Sequence, residues 1–190
     1  IRDKLVTGVS DVCSSDLVSL QNGLNEEVIA ERIGASRTVG CLVNWGADWL
    51  GPGRTQFGGT GSFTLGELSR SITVRVRALA DLLAVVQPTT VTENIWGCLW
   101  AKTCFGALLF ATALTEETVY DVVERSFPVQ RTLVQLVAEG MAVAEASGVR
   151  LEAFDEYDPA LYRKGAAGDR TAIGEAMAQI SRFYRRHTKV

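Results

Sequence analysis

The chain has 190 residues, of which 47% are hydrophobic and 22% are charged, and its formal net charge is −3. These values are typical of one large or two small globular domains and exclude a mainly disordered protein. The slightly acidic balance argues against a nucleic-acid partner. A single histidine, His187, argues against multi-histidine zinc sites and histidine-based triads, so we expect no metal. Any proton transfer is then assigned to lysine, carboxylate or tyrosine side chains.

The cysteines and the longest uncharged segment indicate where the protein resides. Four cysteines, at positions 13, 41, 98 and 104, show no Cys-x-x-Cys pair and no disulfide-framework spacing, which fits a reducing cytosol. The uncharged segment 103–115 is shorter than the ~20 residues that span a bilayer. We therefore expect a cytoplasmic protein with a buried apolar helix and no membrane partner.

Residues 1–17 differ in character from the rest of the chain. Val6–Leu17 reads VTGVSDVCSSDL, has no apolar periodicity, and ends like the translation of a common sequencing adaptor. An ordinary polar loop is the alternative. We expect residues 1–17 to be a non-native or disordered leader, native sequence to begin near Val18, and the protein to be truncated at both ends.

The first native elements form a β-α-β pattern. They are, in order, a strand at 18–20, a turn at 21–23, a helix at 26–33 and a strand at 38–43 that is apolar on both faces. Ligands of such units lie at the carboxyl ends of the strands. The sequence places Asn22 and residues 44–47 at those ends.

Residues 51–92 predict a hairpin, a helix and a short strand. We expect strands at 54–57 and 62–65 joined by a glycine-rich turn, an amphipathic helix at 71–86, and a strand at 89–92. The connecting segment GGTGSF lacks the strand-to-helix context of a dinucleotide fingerprint and the lysine of a P-loop. A simple turn is therefore the favoured interpretation.

From Asn94 onward the sequence predicts helices, and the first of them carries one charge. Lys102 lies in the apolar run Ile95–Leu114, and no acid stands three or four positions from it. Such a lysine either extends its amine to water or occupies a pocket that lowers its pKa for chemistry. Glu139, on a helix predicted at about 128–147, either orients this lysine or is simply solvated.

Five groups of residues, taken in order, resemble a known enzyme family. They are Gln21-Asn22-Gly23 with Glu26-Glu27, Thr38-Val39-Gly40-Cys41, Gly51-Pro52-Gly53 with Gly66-Glu67-Leu68, Leu99-Trp100-Ala101-Lys102, and Ala138-Glu139 before Ala146-Ser147-Gly148-Val149. Their order and spacing over roughly residues 18–149 resemble the ketopantoate reductase (2-dehydropantoate 2-reductase) family. Composition and periodicity alone indicate only a β-α-β remnant followed by helices.

The resemblance implies an α/β fold in two parts. Residues 18–93 are expected to be the C-terminal part of an NADP-binding domain with a Rossmann-type parallel sheet. Residues 94–190 are expected to be an incomplete, mostly helical substrate and catalytic domain, similar to the C-terminal domain of 6-phosphogluconate dehydrogenase. The family pattern also allows a homodimer.

The resemblance further implies a reaction and its residues. NADPH is expected to reduce ketopantoate or a related 2-keto acid to the 2-hydroxy acid, with Lys102 binding the substrate and donating the proton. Asn22 matches the residue that contacts the nicotinamide ribose and the substrate. Gly46 falls where the family makes a backbone contact to the cofactor.

Departures from the family pattern leave alternatives open. Gly106 and Phe110 stand where the family has substrate-binding asparagines, which favours a reductase for a bulkier, less polar keto acid. The G-x-G-x-x-G segment that binds the pyrophosphate is absent from the 190 residues, so we expect this piece alone to be inactive. A non-catalytic helical interaction domain, in which the amine of Lys102 only reaches for water, is the third alternative.

Overall fold

The computed structural model describes residues 15–155 and 157–187. Its strands are β1 (Leu17–Ser19), β2 (Thr38–Asn44), β3 (Ala47–Gly51), β4 (Arg54–Phe57), β5 (Ser62–Glu67) and β6 (Thr89–Val91). Its helices are α1 (Asn25–Ile33), α2 (Val74–Leu83), α3 (Ile95–Thr112), α4 (Val119–Val123), α5 (Phe127–Ala146), α6 (Pro159–Ala166) and α7 (Arg170–His187), with a 3-10 turn at Ala35–Arg37. The expectation of a sheet with helices followed by a mostly helical part is confirmed. Residues 1–14 of the predicted leader lie outside the described residues. The last residue of that leader, Leu17, is the first residue of β1.

The main sheet has the strand order β1-β2-β5-β6. Its outer pairs, β1 with β2 and β5 with β6, are parallel, as a Rossmann-type sheet requires. The central pair, β2 with β5, is antiparallel, which the sequence did not indicate. The carboxyl end of β2 therefore lies beside the start of β5, with Asn44 opposite Ser62.

The predicted hairpin between residues 54–57 and 62–65 is wrong in its pairing. β4 pairs with β3 across the turn Gly51-Pro52-Gly53, and β5 pairs with β2 instead. Two glycine-rich segments lie within a dozen residues, and either can close a two-stranded hairpin. Local sequence could not choose between them, because the choice depends on the distant strand β2. The second segment carries the chain from the hairpin back to the sheet.

Two glycines opposite each other allow helix α3 to lie directly on the sheet. Gly40 in β2 pairs with Gly66 in β5, and Ile95 at the start of α3 lies over both. A Cβ on Gly40 would stand 2.7 Å from Ile95 Cγ1, and a Cβ on Gly66 would stand 2.7 Å from Ile95 Cβ. Both distances are far below van der Waals contact. The helix can occupy this position only because neither strand has a side chain there.

Helix α3 is long and apolar enough to cross a membrane if length and composition alone are considered. Within the described residues, half of it is buried, and it packs against β2, β5 and α5. A helix that is apolar all round is expected when it is enclosed by other elements. The packing therefore accounts for the composition of α3, as the sequence analysis expected.

Helix α1 buries an acid in its first turn. Glu26 is fully buried, and its carboxylate oxygens are shielded from water. Burial raises the pKa of this carboxyl above its ordinary value of 4.5, because the ionised form loses its hydration. The folded chain therefore binds this proton more tightly than the unfolded chain does, and the proton stabilises the fold. This stabilisation is fully present below pH 4.5 and is lost as the pH rises through the raised pKa.

We expect Gly40→Ala to destabilise the fold by about 1–3 kcal/mol, because the added methyl group collides with Ile95 and displaces α3. Gly174→Ala is the matched control, since a Cβ at this exposed position of α7 meets nothing within 4 Å and alanine favours a helix. Urea unfolding followed by circular dichroism measures both variants. An unchanged free energy of unfolding for Gly40→Ala would contradict the packing of α3 on the glycine pair.

Candidate functional site

The contact between Ile95 and the glycine pair determines where Lys102 lies. Lys102 follows Ile95 by seven residues, which is about two helical turns, so both side chains lie on the same face of α3. Strand β2 runs four residues beyond Gly40 and ends at Asn44. The helix and the strand thus bring Lys102 and Asn44 to the same level. There Lys102 Nζ donates a hydrogen bond of 2.6 Å to Asn44 Oδ1.

Asn44 is held from its other side by an acid. Its Nδ2 donates to Asp155 Oδ2, and the same oxygen accepts a hydrogen bond of 2.7 Å from Ser62 Oγ. Ser62 is in turn the residue opposite Asn44 on β5. The result is a chain of hydrogen bonds that runs from Ser62 through Asp155 and Asn44 to Lys102.

The amine of Lys102 lies in surroundings that favour its neutral form. Burial lowers its pKa from 10.5 to about 8, and the negative charge of Asp155 opposes part of this shift. Nζ also lies over the ring of Phe154, 5.7 Å from its centroid, a cation–π contact that favours the charged form. Lys102 therefore remains mostly protonated at neutral pH, yet releases its proton more readily than an exposed lysine.

Lys102 and Asn44 line a cleft of about 530 Å³. Four aromatic side chains also line it, namely Trp45, Phe57, Phe183 and Tyr184. Arg186 of α7 provides a second cation, and Asp48 of β3 an anion. A cleft of this size, with apolar rings and a few polar groups, is typical of a small-molecule site. Its two cations suit a ligand that carries a carboxylate.

The structure brings together two of the three site residues predicted from the sequence. Lys102 and Gly46 line the same cleft. Asn22 is exposed in the turn after β1, where its carbonyl oxygen accepts a 3.0 Å hydrogen bond from Asn25 Nδ2. It is not among the described residues that line this cleft. The roles of the three residues stay predictions.

Sequence reasoning missed the partners of Lys102. Asn44 stood in a segment expected to bear ligands, but Asp155 lies 111 positions further along the chain. No periodicity or motif connects residues at that separation. Glu139, the acid that the sequence offered for orienting the lysine, is exposed on α5. Among the described residues, no group of three or more histidine, cysteine or acidic side chains is arranged to hold a metal ion.

The two departures from the family pattern lie outside the cleft. Phe110 is 80% exposed on α3. A Cβ on Gly106 would meet nothing within 4 Å, so this position faces open space. Neither residue lines the cleft in the described part of the chain. The apolar character of the cleft comes instead from its four aromatic rings.

The chain is similar in sequence to known reductases. Residues 4–70 match the profile of the family described as ketopantoate reductase PanE/ApbA, a match that begins within the predicted leader. The 2-dehydropantoate 2-reductase of Halobacterium salinarum is 33% identical over 136 residues, covering 70% of this chain and 45% of the relative. The chain thus spans about half the length of the curated relatives it matches.

Two solved structures show the same fold. A D-mandelate dehydrogenase in complex with NADH superposes with a TM-score of 0.69 at 19% identity, over 93% of this chain and 54% of that protein. The 2-dehydropantoate 2-reductase of Geobacter metallireducens superposes with a TM-score of 0.65 at 23% identity, over 86% of this chain and 62% of that protein. At these identities the likeness shows the fold alone.

The environment of Lys102 predicts a low midpoint for its titration. The chain has four lysines, at positions 4, 102, 164 and 189, so a sample labelled with ¹³C at lysine Cε gives few NMR signals. The signal that disappears in Lys102→Arg is expected to titrate near pH 8, because burial disfavours the ammonium. A midpoint at the ordinary value of 10.5 would show that the amine is hydrated.

Proposed function

Because this chain belongs to the ketopantoate reductase family, we propose that it forms part of an enzyme that reduces a 2-keto acid to a 2-hydroxy acid. We propose NADPH as the cofactor and ketopantoate or a related 2-keto acid as the substrate. The observation that carries this proposal is the amine of Lys102, which lines a cleft, has a pKa lowered to about 8 and is bonded to Asn44.

In the proposed reaction Lys102 binds the substrate and acts as the general acid. The cofactor, when bound, supplies the hydride that reduces the ketone carbon. The ammonium of Lys102 stabilises the negative charge that develops on the ketone oxygen and then donates a proton to it. Asn44 accepts one N–H of this ammonium and so directs the remaining N–H groups. Arg186 supplies a second positive charge in the cleft, which suits the substrate carboxylate.

Two residues of the strand-rich part are proposed to hold the cofactor. Gly46 lies in the cleft wall, and the space that a Cβ would occupy there is open to 4 Å, so a flat ring can approach the backbone closely. Asn22 lies in the turn after β1, which is parallel to β2. Ligands of α/β sheets bind at the carboxyl ends of such strands, and we propose that Asn22 contacts the ribose and the substrate there. Residues 18–93 then form the cofactor side and residues 94–190 the substrate side.

The proposed reductase acts in the cytosol. Three cysteines in the described residues, Cys41, Cys98 and Cys104, are buried free thiols. Burial raises the pKa of Cys98 to about 12, which keeps its thiol protonated and unreactive. Cysteines that remain free thiols are usual in a reducing compartment.

A bulkier, aromatic keto acid is the second candidate substrate, and the four aromatic rings that line the cleft favour it. Phe57 and Trp45 lie with ring centroids 6.0 Å apart, and Trp45 packs edge-on against Phe63 at the same distance. The aromatic wall, which consists of Trp45, Phe57, Phe183 and Tyr184, can stack on a phenyl group of the substrate. Ketopantoate, which has no ring, gains less from it.

Lys102→Ala is expected to lower kcat by about 10²–10⁴-fold, because the developing charge loses its cation and the oxygen its proton donor. The assay is NADPH oxidation with ketopantoate, by a reductase of the length of the relatives that contains this chain. Lys102→Arg keeps the charge but cannot release a proton, and so separates the two effects. Lys164→Ala, at an exposed position of α6, is the matched control. Near-normal turnover by Lys102→Ala would remove this residue from the mechanism.

Phe57→Ala separates the two candidate substrates. If the aromatic wall binds the substrate, kcat/KM for a phenyl-substituted 2-keto acid is expected to fall by about 3–10-fold, and the value for ketopantoate by less. Phe110→Ala, the same replacement at an 80% exposed position outside the cleft, is the control and is expected to change neither value. Equal losses for both substrates would argue against selection by the aromatic wall.

A further inference from the structure

We propose that Asp155 is a positioning residue, which orients the side-chain amide of Asn44 so that its oxygen faces the amine of Lys102. This inference rests on the proposed function for its purpose, because it treats Lys102 as the group that acts on the substrate. The orientation itself is a property of the folded chain and can be tested without turnover.

The amide of Asn44 has two different ends, and rotation by 180° exchanges them. Its Oδ1 only accepts hydrogen bonds, whereas its Nδ2 only donates them. The carboxylate of Asp155 accepts but does not donate, so it selects the orientation in which Nδ2 faces it. Oδ1 then faces Lys102, with which it forms the 2.6 Å hydrogen bond. In the reverse orientation the donor Nδ2 would face the ammonium, which has no lone pair to accept its hydrogen.

Asp155 is itself held in place. Its neighbours Phe154 and Tyr157 exchange two backbone hydrogen bonds, of 3.0 and 2.7 Å, which close a tight turn with Asp155 at its tip. The buried rings of these neighbours stack with centroids 5.2 Å apart, and Phe105 packs against both. Asp155 has a φ of 39°, in the left-handed region that side chains rarely adopt. Contacts on both sides maintain this conformation and present the carboxylate to Asn44 and Ser62.

Three charged side chains from different elements belong to the site: one is bonded to the partner of Lys102, and two line the cleft. Asp155 reaches the amine of Lys102 through Asn44 from the turn before α6, while Arg186 of α7 and Asp48 of β3 line the same cleft. Of the two acids, only Asp155 is bonded to the partner of Lys102. Asp48 is therefore a matched control: it is a carboxylate of the same cleft without the bond to Asn44.

Two NMR measurements on the 190-residue chain test the proposal. In the first, the lysine Cε titration follows Lys102 in Asp155→Asn, which keeps the size of the side chain and tolerates a left-handed backbone. Loss of the negative charge is expected to lower the midpoint by about 0.5–1 pH unit, whereas Asp48→Asn is expected to leave it unchanged. An unchanged midpoint in Asp155→Asn, or an equal shift in Asp48→Asn, would overturn the proposal.

In the second measurement, the exchange of the Asn44 side-chain amide protons with water is compared in the parent chain, Asp155→Gly and Asp48→Asn. Glycine adopts a φ of 39° without strain, so Asp155→Gly removes the carboxylate and leaves the turn possible. Exchange is expected to accelerate about tenfold or more in this variant, because the charge-assisted bond is lost, and to stay unchanged in Asp48→Asn. Unchanged exchange in Asp155→Gly would show that Asp155 does not hold the amide. If Asp155→Gly fails to fold, the same exchange measurement on Asp155→Asn decides: a neutral amide oxygen accepts a weaker bond than the carboxylate, so exchange is expected to accelerate, and unchanged exchange would overturn the proposal.

The two proposals can fail separately. If the NMR results are as expected while Lys102→Ala retains normal turnover, Asp155 orients a lysine that is not the general acid. If Lys102→Ala is inactive while the NMR results are negative, the lysine acts without help from Asp155.

Discussion

The site depends on one packing contact, that of Ile95 with the backbone of two paired glycines. Gly40 and Gly66 remove side chains from adjacent strands at the same level, and α3 lies there closer to the sheet than any larger residue allows. From this contact the rise per residue of helix and strand brings Lys102 to the end of β2. Lys102 lies in a helix and Asn44 in a strand, so two regular elements bring these residues together without a loop.

The amide between Lys102 and Asp155 explains how a partly buried amine can be oriented and still have a lowered pKa. A carboxylate in direct contact with the ammonium would raise its pKa towards or above the ordinary value. A neutral amide between them keeps the negative charge at a distance, so desolvation remains the largest influence on the amine. The same amide still provides a directed acceptor. This arrangement suits the role proposed for Lys102, which is to hold a proton at neutral pH and to release it in the proposed reaction.

The two parts of the chain contribute different walls to the cleft. The strand-rich part supplies Gly46 and, from the β3-β4 hairpin, Phe57, while the helical part supplies Lys102 and the residues of α7. A site between two such parts is a common place for a cofactor and its substrate to meet. The departures at Gly106 and Phe110 do not alter this cleft, since both residues lie outside it among the described residues. Among the described residues, the apolar surface of the cleft comes from its four aromatic rings.

The sequence by itself determined the local features of this protein. Apolar periodicity predicted the buried strand at 38–43 and helix α3, the lack of an acid near Lys102 marked that residue as unusual, and the order of short motifs indicated the family. The tertiary structure alone decided which strands pair around β5, and that the acid near Lys102 is Asp155 and not Glu139. Periodicity and motifs report interactions over a few residues, whereas these pairings join segments up to 111 positions apart, whose meeting depends on how the whole chain packs.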